Sequence, residues 1–129
     1  MEGKLEKKGE DIGKLSRAHF YICPHCKNIV FSSSHLDPIC CSKHLEKEGL
    51  SGKKISLTYE KIGQEVNIYL DHPMEKDNYI LFIALVKDDI SLIKRLYPEG
   101  ENKLFLPYIK RADLYAYSTS MGLEKYKIN

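Results

Sequence analysis

No run of more than eight apolar residues occurs in this 129-residue chain; the longest is YILFIALV (79–86). A membrane-spanning helix needs about 20 such residues, so none is expected. The opening stretch MEGKLEKKGEDIGK has no apolar centre of the kind a secretory signal carries, and a cytoplasmic protein is the expectation. An excess of one charge is also missing. Twenty Lys and Arg stand against eighteen Asp and Glu, a formal net charge of +2, with the signs mixed along the chain. That mixture argues against nucleic acid as a partner. There is no internal repeat, low-complexity tract, glycine-rich phosphate loop or G-x-S-x-G, so the sequence carries neither a P-loop nor a nucleophile elbow. Cysteine is scarce, with only four residues. In a reducing compartment four thiols point to a metal site or redox chemistry before structural disulfides.

What remains is enough for a core: hydrophobic residues make up 43% of the chain. Residues 1–17 are charged, with Leu5, Ile12 and Leu15 the sizeable apolar residues, and read as a tail. Residues 18–50 hold all four cysteines between short β-like runs, HFYI and NIVFSS. This segment is too small to bury a useful core and needs a staple. From residue 51 to 129 the texture changes. Ile55, Leu57 and Tyr59 alternate with polar residues, as do Val66, Ile68 and Leu70, which is the signature of strands with one wet face. YILFIALV reads as a deeply buried strand, and runs at 91–96, 103–109 and 112–119 follow, punctuated by Pro73, Pro98, Pro107 and Glu99-Gly100. About six short strands in close succession predict an antiparallel β-sandwich and an all-β fold.

The four cysteines fall in two pairs, Cys23-Pro-His-Cys26 and Cys40-Cys41. A C-x2-C pair forms a knuckle that aims two sulfurs at one point. A disulfide between adjacent residues is strained, because the bridge wants its Cα atoms well apart, so Cys40 and Cys41 are expected to share one ion with the first pair. Neighbouring side chains diverge in an extended strand, so the backbone must turn there. Four thiolates suit iron or zinc. A three-cysteine set completed by His44, a pair of disulfides and free thiols are the competing readings. His25, between the first two cysteines, is expected to be an exposed turn residue.

YICPHCKNIV followed by ICCSKHL is similar to the desulforedoxin-like N-terminal module of desulfoferrodoxins, which hold one iron through C-x2-C and a vicinal C-C pair. The second half resembles the same family's superoxide reductase domain. DHPMEKDNYI lies on its H-P-M-x3-H-Y-I segment, LYPEGENKLF on its L-x-P loop and AYSTSMGLEKY on its Y-C-N-x-H-G-x-W motif, so that the resemblance covers about residues 19 to 126. It implies a small metal module followed by an immunoglobulin-like sandwich. It also implies one iron per chain held by Cys23, Cys26, Cys40 and Cys41, with zinc as the alternative, and electron exchange with a redox partner protein. A homodimer is the further expectation, from the family's habit and exposed strand edges.

In that family the second domain binds ferrous iron through four histidines and an axial cysteine, and reduces superoxide. Carried over residue by residue, His72 matches the histidine of H-P-M. Asn78 stands in a histidine position, Ser118 in that of the cysteine and Met121 in that of another histidine; the loop GKKISLTYEK holds no histidine, and Lys54 falls near the family's lysine. One imidazole with weak ligands cannot hold Fe(II) against water, so no catalytic iron is expected and His72 is left as a turn residue before Pro73. The family also places glycine after the second and fourth cysteines, where the backbone is left-handed. Here those positions are Lys27 and Ser42.

Overall fold

The computed structural model describes residues 18–128; the charged tail expected over residues 1–17 lies outside the described residues. All regular elements are strands, in antiparallel pairs wherever the register is defined, and the fold is all-β. Contacts divide the chain into two compact units. One runs to Glu48 and takes in Val86–Ser91, and the other consists of Gly49–Leu85 with the residues from Leu92 onward.

In the first unit β1 (His19–Ile22) pairs with β2 (Ile29–Ser32), and Ile22 opposite Ile29 closes the ladder above the knuckle. The turn is held by the Cys23 amide on the Asn28 carbonyl at 3.0 Å and the Lys27 amide on the Cys23 carbonyl at 2.8 Å. A second, minimal hairpin joins β3 (Ile39–Cys40) to β4 (Lys43–His44), with Cys40 opposite Lys43. Its two-residue loop is Cys41–Ser42, with φ of 54° and 64°. Two successive positive values mark a type I′ turn, whose twist matches that of the flanking strands. One buried cluster is small: Tyr21, Cys23 and Leu45, with Val30 and Cys40 against it. The Tyr21 hydroxyl pins the loop before β3 by donating to the Leu36 carbonyl at 3.3 Å and accepting from the Leu36 amide at 3.0 Å.

The strands after β4 form a three-stranded sheet in the order β5-β6-β9 and a four-stranded sheet in the order β11-β10-β7-β8. The first is built from β5 (Leu57–Ile62), β6 (Glu65–Leu70) and β9 (Lys103–Pro107), the second from β7 (Ile80–Lys87), β8 (Ile90–Arg95), β10 (Asp113–Ser118) and β11 (Gly122–Lys127). β9 shows the period-two logic most plainly, with Leu104 and Leu106 buried between exposed Lys103, Phe105 and Pro107. The inward faces of both sheets meet in one core that includes Ile55, Val66, Ile68, Leu70, Ile83, Leu85, Leu104, Leu106 and Leu114. β7 is buried on both faces along almost its whole length. Two tyrosines tie β11 to the first sheet's side of the core: Tyr126 donates to the Ile55 carbonyl, and Tyr59 of β5 donates to the Lys127 carbonyl at 3.2 Å.

β11 is a seventh sandwich strand where the sequence suggested about six. Of its residues only Leu123 is buried, so GLEKYK offers no apolar alternation to read. It begins at Gly122 with φ 86°, where a side chain would meet the Ser51 Cβ at 3.1 Å; both the backbone and the close approach require glycine.

Ile68 is fully buried in the centre of β6, so Ile68→Ala should destabilise the sandwich by about 2–5 kcal/mol. Ile62→Ala, at a site 52% exposed, should cost less than about 0.5 kcal/mol. Urea midpoints of the two variants measured side by side check the contrast.

Candidate metal centre

The knuckle and the type I′ turn bring all four cysteine sulfurs together, each within 4.8 Å of every other. This is the only group of three or more potential ligands so arranged among the described residues. Cys26 Sγ lies 3.5 Å from Cys40 Sγ, and Cys40 Sγ lies 4.0 Å from Cys41 Sγ. Four sulfurs at about 2.3 Å from a tetrahedral ion sit about 3.8 Å apart, so these spacings bracket what a metal–thiolate centre requires. Cys23 is buried, Cys40 half-buried, and Cys26 and Cys41 exposed. Cys23, Cys40 and Cys41 line a cleft of about 130 Å³ with Pro24, His25 and Lys43.

The adjacent cysteines converge because their backbones differ: Cys40 ends a strand while Cys41, in the left-handed region, starts the turn. Lys27 and Ser42 both have φ 64°, the conformation expected where the resembled family carries glycine. A side chain in that region costs roughly 1–2 kcal/mol. His44 lies outside the cluster, with its ring Nδ1 3.1 Å from Asp37 Oδ1, so the histidine-completed set is not the one assembled. His25 is an exposed turn residue, as expected.

Crowding four thiols sets their acidities far apart. Cys23 is held down at about 6, chiefly by the Cys26 backbone N–H, with burial opposing it and the His25 N–H adding to the effect. Cys41 is pushed up to about 12 by its contacts with Cys26 and Cys23 and by burial, and Cys40 is raised for the same leading reasons. One negative charge is welcome in the cluster and the following ones repel it. The Asn28 side-chain amide approaches Cys40 Sγ at 3.9 Å.

In the sandwich, four of the positions that the resemblance assigns to a catalytic iron, His72, Asn78, Ser118 and Met121, are joined in one hydrogen-bonded network through Ser120. Ser118, fully buried, donates to His72 Nε2 at 2.9 Å, while His72 Nδ1 donates to the Pro73 carbonyl at 2.6 Å. The Ser118 oxygen accepts from the Ser120 and Met121 amides, each at 3.2 Å, and Ser120 in turn donates to Asn78 Oδ1 at 2.6 Å. His72 is therefore more than the turn residue expected from the sequence: it docks β10 through Ser118. The link spans 46 residues and has no local signature. His72 also borders an open cleft of about 540 Å³ with Met74 and Gly100–Lys103, while Lys54 is exposed.

No protein-family model matches the chain, and no curated protein matches it in sequence. In three dimensions it is similar to the superoxide reductase from Treponema pallidum, at a TM-score of 0.72 and 18% identity over 85% of this chain and 97% of that one. The chain has a superoxide-reductase-like fold. A superoxide reductase from Nanoarchaeum equitans is matched at 18% identity over 62% of this chain and 94% of that one, with a TM-score of 0.36. Among the described residues no helix is long and apolar enough to cross a membrane.

Metal ligation needs thiolates, and Cys40 and Cys41 keep their protons above pH 8 in the metal-free protein because both are shifted upward. Loading the protein with zinc at pH 8 should therefore release at least two protons per ion, and affinity should rise at least about a hundredfold per pH unit. Proton release followed by pH-stat titration checks this, and release of one proton or none would refute it. Ser42→Gly should stabilise the metal-free form by about 0.5–1 kcal/mol, the relief of the left-handed side chain less the added entropy of glycine, read from its urea midpoint.

Proposed function

We propose that this chain is a mononuclear metal–thiolate redox protein in which Cys23, Cys26, Cys40 and Cys41 hold one iron, and in which the superoxide-reductase-like sandwich no longer carries a catalytic iron. The observation that carries the reading is the convergence of four sulfurs at spacings suited to one ion. An iron bound there would alternate between ferrous and ferric states, supplying or accepting one electron.

The residues around the sulfurs favour that use. Backbone N–H groups of Cys26 and His25 point at Cys23 Sγ. Such donors stabilise the more negative, reduced form and raise the potential. Cys26 and Cys41 reach solvent, which gives an electron a short path to a partner protein at the surface. The four-sulfur set also suits zinc, and in that second reading the module is a structural staple beside a protein-binding sandwich.

Loss of superoxide reduction is supported by chemistry and by geometry. Asn78, Ser118 and Met121 are poor ligands for ferrous iron, and the His72 nitrogen that a metal would need accepts the Ser118 hydroxyl. A polar network that satisfies itself has no need of an ion to balance it.

Protein from iron-supplemented cells should be red, contain one iron per chain and lose its colour on reduction; a colourless protein with one zinc selects the second reading. Cys41→Ser should lose the ion and loosen the first unit. Two irons per chain, or superoxide consumption abolished by His72→Ala, would overturn the assignment of the sandwich.

A further inference from the structure

The outward face of the β5-β6-β9 sheet carries an unmet hydrogen-bond demand that neither the metal centre nor the His72 network uses. Val66, Ile68 and Leu70 of β6 point into the core, so by alternation Glu65, Asn67 and Tyr69 point away from it. Asn67 is nevertheless only 7% exposed, and its Oδ1 is buried with no hydrogen-bond donor. A buried amide oxygen left unpaired is destabilising, and a β-branched residue would suit a strand at that position better. An amide kept there at such a cost points to a donor that arrives from outside the chain.

The strand register draws a cross around that oxygen. Glu60 of β5 is the cross-strand partner of Asn67 on one side and Phe105 of β9 its partner on the other, while Glu65 and Tyr69 are its same-face neighbours along β6. Cross-strand partners of this kind have their Cβ atoms about 5 Å apart. Neither the Glu60 nor the Glu65 carboxylate has an ion pair or a hydrogen bond among the described residues. The cations close by are engaged elsewhere. Lys103 Nζ lies 5.4 Å from the centre of the Phe105 ring and 5.9 Å from that of Tyr69. Lys61, on the other face by alternation, has its Nζ 4.4 Å from the centre of the Tyr108 ring.

We propose that this face binds an arginine side chain of a partner protein, its guanidinium seated over Asn67 between Glu60, Glu65 and Phe105. A guanidinium is planar, with five N–H donors around its edge and two apolar faces. One donor satisfies the orphaned Oδ1, others bridge the two carboxylates, and one flat face lies against the Phe105 ring. Lysine matches this set poorly, because a compact ammonium is strongly hydrated and has no flat face to stack. A divalent cation would use the oxygens and gain nothing from the aromatic wall. Phe105 is 50% exposed and directly opposite Asn67, so it is the side chain that turns aside to admit the guanidinium. Ile62 and Tyr69, 52% and 36% exposed on the same face, extend the apolar border beyond the reach of one side chain, which fits a segment of protein rather than free arginine.

The full, zinc-loaded chain labelled with nitrogen-15 and titrated with the capped peptide acetyl-Thr-Arg-Thr-amide tests the site. Saturable shifts should appear at the Asn67 side-chain amide and at the backbone amides of Glu60, Glu65 and Phe105, with a Kd on the order of millimolar for so short a probe. The peptide with lysine in place of arginine should bind at least about fivefold more weakly, and the double variant Glu60→Gln, Glu65→Gln should weaken the arginine peptide by a similar factor. Asn67→Val should lose the preference for arginine while keeping or raising the urea midpoint, since it leaves no buried oxygen unpaired. No saturable shift at these residues, equal binding of the lysine peptide, the same shifts produced by calcium, or wild-type binding by both the Asn67 variant and the double variant would overturn the proposal.

Discussion

The convergence of four sulfurs depends on two consecutive left-handed residues. In an extended strand Cys40 and Cys41 would point to opposite faces, and no single ion could reach both. With Cys41 as the first loop residue of a type I′ turn, strand and turn each contribute a sulfur to the same side, where the Cys23–Cys26 knuckle already aims. The hairpin that achieves this has only two paired residues on each side, and the cluster of Tyr21, Cys23 and Leu45 beside it is slight. So little apolar burial holds residues such as Cys41 and Ser42 in a costly conformation only weakly, and an ion shared by the four sulfurs would add what the local core lacks.

The sandwich is built the other way. Its stability comes from a large shared core, and its polar interior at the end of β10 is closed by the donors and acceptors of Ser118, His72, Ser120 and Asn78. Positions that the family resemblance assigns to one catalytic centre thus stay neighbours here while doing cohesive work. A buried hydroxyl with a donor role to imidazole and an acceptor role to two amides leaves little polar demand unmet.

Much of this was legible in the residues themselves. Alternation located β5 and β6, the run at 103–109 located β9, the eight-residue apolar run located β7, and the vicinal cysteines required a turn that the backbone supplies. What escaped lacked a periodic signal. β11 carries one buried residue amid charges, and its place is fixed by Gly122 and by tyrosine hydroxyls reaching across the core. The β3–β4 hairpin has Cys-Ser where Asn-Gly would announce a type I′ turn. The link between His72 and Ser118 joins distant points of the chain, and only the resemblance to a two-part family suggested that they belong together.

β7 is apolar from Ile80 to Val86, yet its two flanking strands arrive at very different times. β8 follows after a two-residue turn and can zip up at once, whereas the opposite edge must wait for β10, which begins at Asp113. As the chain leaves the ribosome, a fully hydrophobic ribbon therefore stands half covered until most of the remaining polypeptide has been made. That interval, rather than the finished molecule, is where aggregation threatens and where a chaperone would find its handhold.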